Sequence, residues 1–138
     1  MKPFRLLLAS LCFLGACQTT TSTSDVSEST PVGSWSLVAF DLVSGQSVPV
    51  PDGSRYTLTL QSDPQASVRA DCNLCSGSYS LSGNSLDFGL MACTRAACPA
   101  DSLEMPYLEA LGSTSSYART SEELLLQYEG GVMRFLPR

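Results

Sequence analysis

No histidine occurs anywhere in the 138 residues, and the only lysine is Lys2. Without imidazole there is no ordinary proton shuttle near neutral pH, no Ser-His-Asp or Cys-His nucleophile arrangement and no histidine-held metal. Without lysine after the second residue, positive charge rests on arginine. An acidic chain of formal net charge −5 is a poor match to a phosphate backbone, so nucleic acid is not an expected partner. Loss of the two cations Lys2 and Arg5 with a leader would take that charge to −7. The apolar run Leu6 to Leu14 is about nine residues, against the roughly 20 that a helical membrane span needs. The length leaves room for one domain, not two.

What the N-terminus does have is a basic start, Met1 to Arg5, then that apolar run, then Leu14-Gly15-Ala16-Cys17. These are the lengths and flanks of a secretory signal. Leu-Gly-Ala-Cys resembles the lipobox of bacterial lipoproteins. That resemblance implies cleavage before Cys17, diacylglycerol on its thiol and acylation of its new amino group. Two or more acyl chains anchor stably, at about 0.8 kcal/mol per buried methylene. The alternative is an ordinary secretory signal with a chance cysteine. Cys12 leaves with the leader. Gln18, where an aspartate would signal retention, implies an outer-membrane lipoprotein whose domain faces the periplasm. Gln18 to Pro31 is mostly Ser and Thr, and it buries too little apolar surface to offset its ordering entropy. The expected division is therefore 1–16 signal peptide, 17–31 lipidated cysteine and disordered tether, and 32–138 folded domain.

Within the domain, Trp35, Leu37 and Ala39 alternate with their neighbours as a first strand. Pro49, Pro51, Asp52 and Gly53 mark a loop, and Tyr56 to Leu60 alternate cleanly. After an Asp63-Pro64 turn, Ser67 to Ala70 reads as a short strand. Gly77 to Leu81 and Ser85 to Phe88 flank Gly83-Asn84, a tight hairpin turn. Leu103 to Leu111 is the one helix candidate, with Leu103, Tyr107, Leu108 and Leu111 on a stripe and Ser102 as N-cap. Pro106 must then fit its first turn, and Gly112 ends it. Glu123 to Tyr128 and Val132 to Leu136 form a last hairpin around Glu129-Gly130-Gly131. The expected fold is α+β: a small, mostly antiparallel, curled and barrel-like sheet with one packed helix.

Four cysteines remain in the domain, Cys72, Cys75, Cys93 and Cys98, spaced C-x2-C-x17-C-x4-C. In the cytosol this spacing would suggest zinc; redox-active thiols are a second reading. Export favours disulfides. A redox pair at Cys72 and Cys75 would want a helix N-terminus to lower a thiol pKa, and this stretch is strand-like. Along a strand those two Cα atoms would lie roughly 10 Å apart, too far to bond. A turn at Gly83-Asn84 sets a register near which the nested pairs Cys72–Cys98 and Cys75–Cys93 fall; the crossed pairs stray further.

Asp71-Cys72-Asn73, Gly77-Ser78-Tyr79, Met91-Ala92-Cys93-Thr94-Arg95 and Cys98-Pro99 together resemble the signature of the META domain, the HslJ-like heat-shock family. Trp35, Glu104-x-x-Tyr107-Leu108, Ala110-Leu111 and Leu124-Leu125-Leu126 agree with it in order. The resemblance covers Val32 to the C-terminus. It departs at Ala70-Asp71, where the family usually has glycine, and it adds the pair Cys75 and Cys93. It implies a small antiparallel β domain with one helix, and an association with envelope stress and antibiotic tolerance; it implies no reaction and no cofactor.

Asn73, Thr94 and Arg95 are the candidate site residues, all within that signature and none an ordinary core type. One reading is structural: Asn73 caps a turn, and Arg95 pairs with Asp71 or Asp87. The other has Arg95 and Asn73 lining a small groove that grips an anionic or peptide ligand. Asp101, Glu104 and Glu109 could suggest paired carboxylates, but acids near a helix start serve its dipole and solvation. Trp35 and Tyr107 read as core. The function expected is a non-catalytic envelope lipoprotein, held to a membrane by lipid and binding or supporting an unknown envelope protein or small ligand. The competing class is a small periplasmic redox or hydrolytic enzyme using Cys72 and Cys75 or the acids. No metal site and no cofactor are expected.

Overall fold

A computed structural model of the chain describes residues 29–138; the leader, Cys17 and the tether as far as Glu28 lie outside the described residues. In chain order the strands are β1 (Gly33–Leu42), β2 (Ser47–Pro49), β3 (Tyr56–Leu60), β4 (Gln65–Ala70), β5 (Asn73–Ser82), β6 (Ser85–Phe88), β7 (Ala92–Cys93), β8 (Ser116–Arg119), β9 (Leu124–Tyr128) and β10 (Gly131–Pro137). Helix α1 spans Glu104–Gly112. Neighbours pair antiparallel in the order β1-β3-β4-β5-β6-β8-β9-β10, and β10 returns to β1, so that eight strands close a barrel. Closure removes the exposed edges that a curled open sheet would leave. β2 and β7 are short additions, on β1 and β5.

Period-two alternation fills the interior. In β4 the sequence Gln-Ala-Ser-Val-Arg-Ala alternates exposed and buried without exception. An eight-stranded barrel is just wide enough for side chains to pack across it, and Trp35, Leu37, Leu58, Leu86, Leu126 and Phe135 do so. In β1 the register on β10 slips between Leu37 and Ala39. This bulge moves the inward face on, so Phe40 is buried beside Ala39, a switch that plain alternation of Trp35, Leu37 and Ala39 does not show. β8 is likewise unannounced: Ser-Tyr-Ala-Arg has no apolar face, and it is a strand because β9 supplies its ladder. The seam is thin where β6 meets β8, with Ser85 opposite Ser116 as the registered pair.

α1 lies across one end of the barrel. Its Tyr107 and Leu111 are fully buried, with Tyr107 set edge-on to Tyr56 at 5.8 Å between ring centroids and 6.3 Å from Phe135. The assigned cap position is Leu103, which offers no side-chain bond; the Ser102 hydroxyl, one residue earlier, accepts from Glu104 N–H at 3.1 Å. Pro106 sits in the first turn, where no intrahelical N–H is required. The chain enters at the opposite end. There Trp35 Nε1 donates to Pro31 O at 2.9 Å, Arg119 stacks over the Trp35 ring at 5.1 Å, and its guanidinium donates to Thr30 O. Thr30 and Pro31, assigned by composition to the tether, are therefore held by the domain.

Candidate functional site

The segment between β7 and α1 crosses the helix-bearing end of the barrel, and four devices hold it. The hairpin at Gly83-Asn84 sets Tyr79 opposite Phe88. Strict continuation of that register would put Ala92 opposite Cys75, but the chain places Cys93 there, and Cys75 and Cys93 are bonded. Cys72 and Cys98 are bonded to each other further along, with Cα atoms 5.5 Å apart. Cys72 and Cys75 thus belong to different, nested cross-links and do not form a pair. Backbone and side chain of Thr94 join Leu74, with Thr94 N–H to Leu74 O at 2.9 Å and Leu74 N–H to Thr94 Oγ1 at 3.0 Å.

Asn73 is the fourth device. Its side chain is 1% exposed. Oδ1 accepts from Ala96 N–H at 2.7 Å and from Thr94 Oγ1 at 2.9 Å. Nδ2 donates to Ala96 O at 3.0 Å and to Glu104 Oε1 at 2.6 Å. Only an amide presents an acceptor and two donors in that arrangement. Rather than capping a turn, Asn73 fastens the loop and the first turn of α1 to the barrel.

Asp71, two residues earlier, has a left-handed conformation, φ 58°. Aspartate tolerates this region better than most residues. Its carboxylate takes a two-pronged bond from Arg55, Nε to Oδ1 at 2.7 Å and Nη2 to Oδ2 at 2.6 Å. The Arg55 guanidinium holds the Asp71 carboxyl below its ordinary range, and Asp71 in turn pushes the Arg55 pKa up. The expected pairing of Arg95 with Asp71 or Asp87 is thus corrected: Arg55, carried to the spot by β3 pairing on β4, occupies Asp71 first. Nothing in the sequence spacing marks Arg55 for that role.

Arg95 is exposed and makes no ion pair among the described residues. With Asn73 and Thr94 it lines a groove of about 460 Å3 whose far wall is Met105 and Leu108 of α1. Met91, Cys93 and Leu108 carry the groove into a second hollow of about 550 Å3, walled by Phe88 and Leu90. Leu90 is 100% exposed and Met105 62% exposed. The three candidate residues therefore meet in one place, Asn73 as its base and Arg95 as its free cation. The apolar walls escaped the sequence reading because loop residues such as Leu90 carry no periodicity. Among the acids, Glu104 lines this groove with its Oε1 taken by Asn73, Asp101 stands 4.0 Å from Arg55, and Glu109 lies in a different hollow. Among the described residues no group of three His, Cys, Asp or Glu converges as metal ligands, and no helix is long and apolar enough to cross a membrane.

The sequence model of the META domain matches residues 28–138. A protein from Burkholderia xenovorans, solved by NMR, is 30% identical, with a TM-score of 0.66 over 77% of this chain and 81% of that one. A DUF4847 family protein from Bacteroides vulgatus, solved by crystallography, shares the fold at 16% identity, with a TM-score of 0.54 over 75% of this chain and 91% of that one. No curated protein matches. This chain, among whose described residues one α-helix lies across the end of a closed barrel, thus belongs to the META domain family.

Proposed function

We propose that the chain is a non-catalytic envelope lipoprotein, exported, lipidated on Cys17 and held in the outer membrane facing the periplasm. Its META domain recognises an anionic group, on an envelope protein or small ligand, through the Arg95 groove, and so supports tolerance of envelope stress. The observation that carries the binding reading is a charged side chain left free on a rigid rim. Arg95 has no ion-pair partner among the described residues, while its loop is fixed by Asn73 and two disulfides. A guanidinium presented in this way, beside apolar walls, suits a carboxylate or phosphate attached to an apolar body. The lipid anchor is supported by the Leu14-Gly15-Ala16-Cys17 sequence. The domain's entry point, at Thr30 and opposite α1, fits a tether that presents the groove away from the membrane.

Two measurements test this. Intact mass of the envelope-extracted protein should show cleavage before Cys17 and added acyl mass. Capture from envelope extract with wild-type, Arg95→Ala and Arg95→Lys chains should recover a component that the alanine variant loses and the lysine variant partly keeps. Equal recovery by all three would remove the groove from the proposal; an intact, unacylated precursor would remove the anchor.

A further inference from the structure

A third hollow, on the other side of α1, carries acidic groups alone. It encloses about 720 Å3 between the Pro106–Ala110 side of the helix and the ends of β1, β2 and β9. Phe40, Leu42, Val48, Leu103 and Tyr128 form its apolar walls, and the Phe40 and Tyr128 rings meet edge-on at 6.3 Å. Its charged groups are Glu109 on the helix and Glu129 at the hairpin tip, both exposed. Neither has an ion-pair partner among the described residues: Arg134 is taken by Asp41 at 3.0 Å and Arg55 by Asp71 at 2.6 Å. No cation lines the hollow. The volume lies within the range of small-molecule sites, and aromatic faces beside carboxylates favour an ammonium over a neutral or anionic head.

We propose that this hollow is a binding site for a small cationic amphiphile, its apolar body against Phe40, Leu42 and Tyr128 and its ammonium between Glu109 and Glu129. The site is separate from the Arg95 groove and stands or falls independently of it. Gly130 supports Tyr128 as a wall, since a Cβ there would fall 2.6 Å from the tyrosine ring and displace it.

The test uses the purified full chain in neutral-lipid nanodiscs, with empty nanodiscs subtracted. It is titrated calorimetrically with 4-phenylbutylammonium, 4-phenylbutanol and 4-phenylbutyrate, three heads on one body, and amide shifts of Leu42, Ala110 and Gly130 locate the binding. The ammonium should bind more tightly than the alcohol and shift those amides, and the carboxylate should leave those amides unshifted, since any binding of it belongs to the Arg95 side. Glu109→Gln with Glu129→Gln should weaken the ammonium about fivefold or more and leave the alcohol unchanged. Gly130→Ala, by moving Tyr128, should weaken ammonium and alcohol alike. Equal shifts of those amides by all three heads, unchanged ammonium affinity in the Glu variants, or ammonium-induced shifts confined to the Arg95 side would each overturn the proposal.

Discussion

At Asn73 one amide meets a backbone N–H, a backbone carbonyl, a hydroxyl and a carboxylate, each on the side that chemistry requires. Asn73→Asp keeps the shape but turns the donor edge into an oxygen facing Glu104 where the nitrogen now stands 2.6 Å away. Two carboxylates there repel, so the variant should lose about 2 kcal/mol or more at neutral pH. It should regain part of this below about pH 5, as one of the pair takes up a proton; urea unfolding at pH 7 and pH 4.5 measures both. Tyr107 is the reverse case. Its hydroxyl is fully buried with no hydrogen-bond partner among the described residues, and burial pushes its pKa up. Tyr107→Phe should therefore stabilise the protein, by about 1 kcal/mol in denaturant unfolding. Asp71 gives the acid limb. Its folded-state pKa lies below the ordinary 3.8, so its contribution is complete above that value and is lost as pH falls through the lower, folded-state one. Arg55→Ala should flatten the loss of stability below about pH 4, seen in thermal melts across pH. Asn73, Thr94 and Arg95 could be singled out from the sequence as types. Their surroundings could not, because Ala96 and Glu104 reach Asn73, and Arg55 reaches Asp71, only through tertiary contacts.

At the scale of elements, the site depends on how closely the β6–β7 connection crosses β5. Gly77 is where it crosses: a Cβ there would stand 2.8 Å from Leu90 O, a backbone atom that can yield only by moving its segment. Gly77→Ala should cost about 1–3 kcal/mol. It should also shift the amides of Gly89 to Met91, which wall the groove, while the β9–β10 hairpin stays unperturbed by NMR. β3 was readable from alternation, and β9 and β10 from the hairpin turn between them. β2 and β8 were not, because their pairing, and not their composition, makes them strands. The bulge in β1 was equally hidden, since it changes the facing of side chains without changing the residues that precede it.

For the whole molecule, a barrel closes through the β1–β10 ladder and leaves its weakest joint between β6 and β8. The two disulfides, closing separations of 18 and 26 residues, lie on the β5 side of that joint and hold the crossing loop. Replacing all four of their cysteines with serine should lower stability by about 3 kcal/mol or more, the second nested bond adding less than the first. Hydrogen exchange should then rise first in residues 94–103 and along β6. A chain whose loop exchanges no faster without the cross-links would show that Asn73 and Thr94 suffice to fix it.

The sequence by itself determined the class of fold, the helix, both hairpins and the charge type of the molecule. Alternation, turn residues and composition are local properties, and each strand with one wet face writes its own pattern. Only the tertiary structure decided that the sheet closes, that Arg55 and not Arg95 takes Asp71, and that Arg95 is left free beside apolar walls. Those outcomes depend on which distant residues arrive first within a few ångströms, and strand register, not residue type, sets that distance.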